Sequence, residues 1–496
     1  MTYSTFHNLI GGEWRAAVSG KTILNVNPAD DSDIVGAFPS SQAEDVALAV
    51  AAAKKAFSSW RLVPAPKRAE ILMRAGLLLQ QHKEQYARDM TREMGKVLAE
   101  TRGDVQEAID EAFYVAGEGR RLFGQTTPSE LQNKFAMSVR MPVGVVGLIT
   151  PWNFPMAIPS WKLFPALVSG NTCVIKPATD TPLSTYNLVQ ALVDAGLPPG
   201  VVNIVSGSGS TTGKALVEHP DVRAISFTGS SEVGSHVAQR AAATFKPVSL
   251  EMGGKNAQIV LDDANLELAL DGALWGSFGT TGQRCTATSR ILLQKGIAAE
   301  FTKRFVARTK ALKIGNGLDE SVEVGPQVNA SQIETSKKYV AIAVGEGATL
   351  LAGGHALTEG AFARGTYFEP TVLEGVTPTM RIAREEVFGP VVSLIEFETF
   401  EEAIEIANSI DYGLSTSLYT KNVNRAFAAI RDLEAGITYI NAPTIGAEVH
   451  LPFGGVKHTG NGHREGNGAI DFFTTWKAVY VDYSDKLQRA QIDNAE

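Results

Sequence analysis

One of the two cysteines lies where a nucleophile would be useful. Cys285 follows a glycine-rich stretch, residues 279–282, which comes after an apolar helical run. Backbone amides in such a turn can point at a reacting group, and a cysteine thiolate is a strong nucleophile. Arg284 next to it would raise the thiolate fraction through its positive charge. The alternative is a small buried apolar side chain, which is how we interpret Cys173 in its apolar strand.

Two more residues could support a reaction at a carbonyl group. Glu251 lies between an apolar strand and a pair of glycines, where burial would raise its pKa towards that of a general base. Asn153 lies between two prolines, and an amide held in a stiff turn can stabilise an oxyanion. Each also has an ordinary structural interpretation, as a strand-end glutamate and as an Asx turn.

Other residues have the types and positions of a nucleotide site. Lys176 ends an apolar strand, and open parallel sheets bind ligands beyond the carboxyl ends of their strands. Residues 227–234 lead from a strand through a Gly-Ser turn into a helix, whose N-terminus would favour a phosphate. Residues 207–213 space their glycines as GxGxxxG, which is only a weak indication of a nucleotide site.

The composition narrows the class of protein. The 496 residues have a formal net charge of −8, with 44% hydrophobic and 20% charged residues. Interspersed, mildly acidic charge indicates neither nucleic acid nor an anionic membrane as a partner, and no apolar stretch is long enough to span a bilayer. With two cysteines and no signal peptide, we expect a cytoplasmic protein. The eight histidines form no metal motif, so we expect no metal.

Alternating strands and helices must position these residues. Residues 43–123 have a helical pattern that Pro64 and Pro66 interrupt. The predicted strands that follow are 143–149, 172–175, 202–205, 224–227, 257–260 and 290–293, and the predicted helices are 183–195, 213–217, 233–243, 266–278, 298–312 and 397–409. This order predicts the α/β class with two doubly wound lobes. Residues 128–141 and 476–483 alternate like exposed strands that need a partner edge.

The order of the motifs resembles that of the aldehyde dehydrogenase superfamily. The matching segments are 151–155, 176–177, 227–230, 251–255, 282–285, 385–390 and 452–455, within a resemblance that runs from about residue 8 to residue 480. The resemblance implies a Rossmann-like NAD(P)-binding domain of residues 1–124 and 143–253 and a catalytic domain of residues 254–442. It also implies a small β oligomerisation arm of residues 125–142 and 470–490, which would join subunits into a homodimer or homotetramer.

Position by position, the resemblance implies a mechanism for oxidising an aldehyde to a carboxylic acid. Cys285 matches the nucleophile that forms a thiohemiacetal and then a thioester. Asn153 matches the oxyanion hole, and Glu251 matches the base that activates water. The implied cofactor is NADP or NAD, bound by Trp152, Lys176, Thr179, Gly229, Ser230, Glu386 and Phe388. A small-molecule aldehyde is the implied substrate, and this chemistry requires no metal.

Two positions bear on the cofactor and the substrate. Thr179 stands where many members carry a glutamate that binds the adenine ribose, and a neutral residue removes repulsion against a 2′-phosphate. We therefore expect NADP to be accepted. Arg284 could bind a substrate carboxylate, and similar nucleophile motifs occur in enzymes for acid-bearing semialdehydes such as 2-oxoglutarate semialdehyde. Alternatively, Arg284 points away and only orders the loop.

Other functions are compatible with parts of this pattern. A broad-specificity aliphatic or aromatic aldehyde dehydrogenase would use the same three residues. An acylating dehydrogenase would pass the thioester to coenzyme A or phosphate, which Glu251 argues against. A cysteine hydrolase or esterase would turn over without a nicotinamide cofactor. A structural protein on the same fold would have no need of Cys285, Glu251 or Asn153, and all three are present.

Overall fold

Two seven-stranded sheets, each packed against helices, dominate the computed structural model, which describes residues 3–493. Residues 1 and 2, which the predicted cofactor domain includes, lie outside this range. Both sheets are mainly parallel, which confirms the predicted α/β class with two doubly wound lobes. No helix among residues 3–493 combines the length and the apolarity needed to cross a membrane.

The first sheet has a topological switch point at its centre. In spatial order its strands are Val248–Glu251, Val222–Thr228, Val145–Ile149, Thr172–Lys176, Val202–Ile204, Asn8–Ile10 and Glu13–Arg15. The first five are parallel, and the last two form an antiparallel edge. From Val145–Ile149 the chain adds two strands on one side and then two on the other. A crevice therefore opens beyond the ends of Ile149 and Thr228, where ligands of such sheets bind.

The first lobe confirms helices in the region 43–123, and it confirms those predicted over 183–195 and 233–243 to within two residues, whereas Ala157–Val168 and Ala469–Phe472 were not predicted. The helices of this lobe are Ala43–Trp60, Ala65–Gln81, Lys83–Met94, Leu98–Glu118, Ala157–Val168, Pro182–Asp194, Lys214–Glu218, Ser231–Ala242 and Ala469–Phe472, with a π-turn at Gly209–Gly213. The segment predicted as a helix over 213–217 is helical, and the π-helical turn Gly209–Gly213 precedes its α-helical part. A separate small sheet joins Ser4–Thr5, Ile34–Pro39 and Thr22–Val26.

The second sheet carries the nucleophile candidate on one of its connections. Its strands, in spatial order, are Thr349–Ala352, Thr371–Glu374, Val391–Phe397, Thr288–Gln294, Asn256–Val260, Ser415–Tyr419 and Ile437–Ile440, and only the first is antiparallel. Its helices are Leu266–Phe278, Lys295–Ala311, Ala330–Gly345, Arg381–Arg384, Phe400–Asn408 and Val423–Asp432, with 3₁₀ turns at Gly279–Gly282 and Gly360–Phe362.

Two predicted helix boundaries in this lobe were wrong. Phe397 ends a strand, and the following helix begins only at Phe400, because Thr399 caps it by accepting the backbone N–H of Glu402 at 3.2 Å. The helix predicted to start at residue 298 starts at Lys295, since Gln294 ends the preceding strand and leads directly into it. The helix Leu266–Phe278 coincides with its prediction.

The two predicted exposed strands pair with each other. Thr474–Asp482 runs antiparallel to Lys134–Pro142 over nine residue pairs, and Gln125–Pro128 adds a third strand on the other side. Trp476 and Tyr480 on this small sheet are largely exposed. The remaining short strands form three pairs: Ala356–Leu357 with Tyr367–Phe368, Tyr412–Gly413 with Val456–Lys457, and Pro452–Phe453 with Glu465–Gly466.

Candidate active site

Cys285 lies at the junction of two cavities. The larger, of about 380 Å³, is lined by Glu251, Arg284 and Glu465 among others, and the smaller, of about 180 Å³, by Asn153 and the predicted cofactor residues. Both cavities also share Ile158, Thr228 and Met252 as lining residues. A molecule in either cavity can therefore reach the same sulfur atom.

The loop before Cys285 has a strained backbone that its surroundings hold in place. Thr280, Thr281 and Gly282 have positive φ angles of 54°, 57° and 69°, which is costly for the two threonines. The Thr280 N–H donates to both carboxylate oxygens of Glu100 at 2.8 Å. A Cβ at Gly282 would lie 2.3 Å from a backbone oxygen, so only glycine fits there. The position of the thiol is thus determined by the backbone.

The thiol of Cys285 is less acidic than the sequence led us to expect. Burial raises its pKa above the ordinary range, and the carboxylates of Glu386 and Glu251 raise it further. Arg284 does not counter this effect, because its guanidinium pairs with Glu100 at 2.9 Å. The expectation that Arg284 increases the thiolate fraction is therefore wrong for this state of the protein. Activation requires a base nearby rather than a permanent cation.

Asn153 reaches the same loop. It is buried, and its Nδ2 donates to the backbone oxygen of Gln283 at 3.1 Å. Both Asn153 and Cys285 line the smaller cavity. Because Asn153 donates to Gln283, two residues before the nucleophile, its amide can stabilise negative charge on the oxygen of a carbonyl group whose carbon has bonded to the Cys285 sulfur.

Glu251 ends the strand Val248–Glu251 and enters the larger cavity. Its side chain is buried, and neither carboxylate oxygen has a hydrogen bond of normal geometry. Burial raises its pKa well above the usual value, the nearby Glu465 raises it further, and Lys162, Arg464 and the Gly455 N–H offset this only in part. A Cβ at position 454 would lie 2.2 Å from Oε1 of Glu251, so this glycine leaves the room that the carboxylate occupies.

The sequence patterns did not predict a buried ion pair that lies near Glu251. The Nζ of Lys162 contacts a carboxylate oxygen of Glu465 and donates to Ser226 Oγ at 2.8 Å. Lys162 also lowers the pKa of Glu251, against the effect of burial. A signal was available, because Lys162 is the only charged residue in the helix Ala157–Val168, which is otherwise buried and mostly apolar.

Arg284 lines the larger cavity and orders the loop at the same time. Its Nε donates to Thr280 Oγ1 at 2.9 Å, and its guanidinium lies 5.1 Å from the centroid of the Phe154 ring. The side chain is 12% exposed. Arg284 therefore orders the loop without pointing away from the cavity, and its role in binding a substrate carboxylate stays a prediction.

The smaller cavity gathers most of the predicted cofactor residues. It is lined by Trp152, Gly229, Ser230, Glu386 and Phe388. The rings of Trp152 and Phe388 meet edge to face with centroids 5.2 Å apart. Glu386 accepts the Gly254 N–H at 2.9 Å, and burial raises its pKa to about 7.

Lys176 and Thr179 form a second group around the carbonyl of Gly207. Lys176 donates to this oxygen at 3.2 Å and Thr179 at 3.3 Å. Neither residue lines the smaller cavity. Burial lowers the pKa of Lys176 to about 8, so the amine retains much of its charge near neutral pH.

These residues fit a dinucleotide. Ser230 caps the twelve-residue helix Ser231–Ala242 at the switch point, which leaves an N-terminus suited to a pyrophosphate. A Cβ at Gly253 would lie 2.0 Å from the Glu386 carboxylate, so glycine lets the backbone pass this close to Glu386. Among residues 3–493, no group of three or more potential metal ligands comes together.

Comparison with known proteins identifies the family. The model of the aldehyde dehydrogenase family matches residues 14–479. The chain is 44% identical to an alpha-ketoglutaric semialdehyde dehydrogenase of Bacillus subtilis, over 96% of this chain and 98% of that protein. It is 43% identical to an alpha-ketoglutarate semialdehyde dehydrogenase of Haloferax volcanii, over 96% and 99%.

A solved structure agrees with this assignment. The betaine aldehyde dehydrogenase of Staphylococcus aureus, determined in complex with NAD⁺, superposes with a TM-score of 0.95 at 35% identity, covering 97% of this chain and 96% of that one. The protein belongs to the aldehyde dehydrogenase family. It is an oxidoreductase that acts on aldehydes, as the resemblance predicted.

Proposed function

We propose that the protein oxidises a carboxylate-bearing semialdehyde, of the type of 2-oxoglutarate semialdehyde, with NAD(P) as the electron acceptor. The observation that carries the proposal is the position of Cys285 between a cavity with the cofactor residues and a cavity with Glu251 and Arg284. The names of the relatives from Bacillus subtilis and Haloferax volcanii support this substrate class.

In the proposed reaction, Cys285, Asn153 and Glu251 each have a separate role. The Cys285 thiol gives its proton to a base and attacks the aldehyde carbon, while Asn153 and the backbone N–H of Cys285 stabilise the oxyanion. A nicotinamide held by the residues of the smaller cavity would accept the hydride that the tetrahedral carbon loses, and the carbon then remains bonded to Cys285 as a thioester. Glu251 then takes a proton from water, which attacks the thioester carbon and releases the acid.

An aldehyde panel tests the proposal against its alternatives. Acid-bearing, aliphatic and aromatic aldehydes are assayed with each cofactor by the absorbance of the reduced nicotinamide. We expect the highest kcat/KM with an acid-bearing semialdehyde, and no turnover of aldehydes without cofactor. Equal values across the panel would favour a broad-specificity enzyme instead.

Replacement of Arg284 tests the substrate assignment. Arg284→Ala removes a charge-assisted hydrogen bond to the substrate carboxylate, and we expect KM for a semialdehyde acid to rise about tenfold or more. KM for an aliphatic aldehyde, which has no carboxylate, should change little. Arg284→Lys is the control, because it keeps a positive charge beside Glu100. Equal effects of Arg284→Ala on both substrates would contradict the assignment.

Thr179 bears on the choice between NADP and NAD. A neutral side chain next to Lys176 does not repel a 2′-phosphate, so we expect the wild type to use NADP. Thr179→Glu should lower kcat/KM for NADP more than for NAD, measured by initial rates with each cofactor. A wild-type preference for NAD above about a hundredfold would contradict this expectation.

We also propose that the antiparallel sheet of Thr474–Asp482, Lys134–Pro142 and Gln125–Pro128 is an oligomerisation arm in a cytoplasmic homodimer or homotetramer. Exposed aromatic side chains such as Trp476 and Tyr480 support a contact with another subunit. In this proposal residues 1–124 and 143–253 form the cofactor domain, and residues 254–442 form the catalytic domain.

A further inference from the structure

Glu100, in the first turn of the helix Leu98–Glu118, contacts the loop that carries Cys285. One of its carboxylate oxygens accepts the Thr280 N–H at 2.8 Å and the Arg284 guanidinium at 2.9 Å, and the other accepts the same Thr280 N–H at 2.8 Å. Arg284 Nε donates to Thr280 Oγ1 at 2.9 Å, which closes the group. The three residues therefore hold each other in place at the wall of the larger cavity, which Glu100 and Arg284 line.

The fold fixes the position of Glu100 itself. The Leu98 N–H, where the helix begins, donates to the Gly317 oxygen at 3.0 Å, so the helix is bound to the second lobe at its start. The Glu100 side chain is 11% exposed. A Cβ at Gly279 would lie 3.0 Å from Glu100 Oε1, so glycine allows the carboxylate to approach the backbone just before Thr280. The helix N-terminus also favours a negative charge in its first turn.

The turn at Thr280 and Thr281 needs such contacts because its backbone is strained. Positive φ angles at residues with a branched side chain cost free energy and persist only where the surroundings enforce them. Thr281 is held from the second lobe, since its Oγ1 donates to the Gly325 oxygen at 2.9 Å. Thr280 is held from the first lobe, by Glu100. Without Glu100, the Thr280 N–H loses both of these hydrogen bonds.

The turn at Thr280 is connected to Cys285 and to Asn153. The Gln283 N–H donates to the Thr280 oxygen at 3.0 Å, and the Gln283 oxygen accepts Asn153 Nδ2 at 3.1 Å. A continuous set of hydrogen bonds thus runs from Glu100 through Thr280 and Gln283 to the amide of Asn153. Because a misplacement of about 1 Å can lower a reaction rate by about 10²-fold, the conformation of this turn matters for the thiol two residues after Gln283.

We propose that Glu100 is a positioning residue: its carboxylate holds the strained turn at Thr280, and thereby holds Cys285 beside Asn153 for attack on the aldehyde. A carboxylate suits both of its partners, because it accepts the N–H and also neutralises the guanidinium. The two bonds from the Thr280 N–H do not involve Arg284, so the turn stays in place when that side chain binds a substrate. The inference rests on the proposed function, in which Cys285 is the nucleophile.

Glu100→Ala tests the inference, because it removes both acceptors of the Thr280 N–H. In single turnovers with enzyme in excess of an aliphatic aldehyde, we expect the rate constant for formation of reduced nicotinamide to fall about 10- to 100-fold. A merely structural role would lower the fraction of folded enzyme and leave this rate constant unchanged. KM for the cofactor should keep its wild-type value, since Glu100 does not line the smaller cavity.

A double variant separates the two contacts of Glu100. Loss of Glu100 also leaves Arg284 with an unpaired charge, which can disturb the site by itself. Glu100→Ala combined with Arg284→Ala lacks this charge, and we expect its rate constant to stay as low as in Glu100→Ala. Asp110→Asn, which removes an exposed acid from the same helix, is the matched control and should behave as wild type.

Two outcomes would overturn the inference: a wild-type rate constant in Glu100→Ala, or its recovery in the double variant. If Glu100→Ala does not fold, Glu100→Gln carries the test. Its amide keeps one acceptor for the Thr280 N–H, so the rate constant should fall by about three- to tenfold, and an unchanged value overturns the inference too. Oxidation at the wild-type rate in Cys285→Ser would instead refute the proposed function.

Discussion

Cys285→Ser is expected to abolish aldehyde oxidation, with kcat reduced by roughly 10⁴-fold or more. A hydroxyl group is a far weaker acid than a thiol, and burial beside Glu251 and Glu386 already disfavours the anion at this position. The oxygen nucleophile would also form a hemiacetal and then an ester, which is harder to hydrolyse than a thioester. Initial rates with a semialdehyde acid and either cofactor measure the effect.

The second cysteine provides the control. Cys173 is completely buried in the strand Thr172–Lys176, and burial raises the pKa of its thiol strongly. Cys173→Ala should therefore leave kcat close to the wild-type value and at most lower stability. Oxidation at the wild-type rate in Cys285→Ser would remove the basis for covalent catalysis in this protein.

Glu251→Gln should separate hydride removal from hydrolysis of the thioester. Because glutamine cannot take a proton from water, we expect steady-state turnover to fall by about 10²- to 10³-fold. The burst of reduced nicotinamide measured by stopped flow should remain close to one equivalent per active site, since hydride removal precedes hydrolysis. The enzyme should accumulate as a thioester that mass spectrometry of the intact protein detects.

The pH dependence gives an independent check on Glu251. Its raised pKa means that the carboxyl group is protonated, and unable to act as a base, until the pH exceeds that value. Turnover limited by hydrolysis should therefore rise with pH in the wild type, and this rise should disappear in Glu251→Gln. A variant that loses the burst together with turnover would show that Glu251 acts before hydrolysis.

Local patterns were enough to predict much of the fold. The apolar run 172–175 predicted a strand that the structure extends by one residue, to Lys176. Phe397 was misplaced because its apolar side chain suits a strand as well as a helix, and only the cap at Thr399 distinguishes them. Helix starts depend on such single hydrogen bonds, which periodicity does not reveal.

The sequence predicted less of the site than of the fold, because the pairing of charged side chains depends on tertiary contacts. Arg284 is adjacent to Cys285 in sequence, yet its partner Glu100 comes from a helix 184 residues earlier. Lys162 and Glu465 are 303 residues apart and meet only in the folded protein. The acids Glu100, Asp104, Glu107 and Glu111 recur at helical spacing in the helix Leu98–Glu118, but sequence alone cannot tell an inward face from a solvated one.

The small antiparallel sheet has a consequence for synthesis of the chain. Arg140 on its middle strand bonds Thr474, a residue 334 positions later. At translation rates of about 5–20 residues per second, this strand emerges roughly 20 to 70 seconds before its partner exists. During that interval an unsatisfied strand edge is open to neighbouring nascent chains. Ribosome stalling late in the message would prolong this exposure and increase the demand for chaperones.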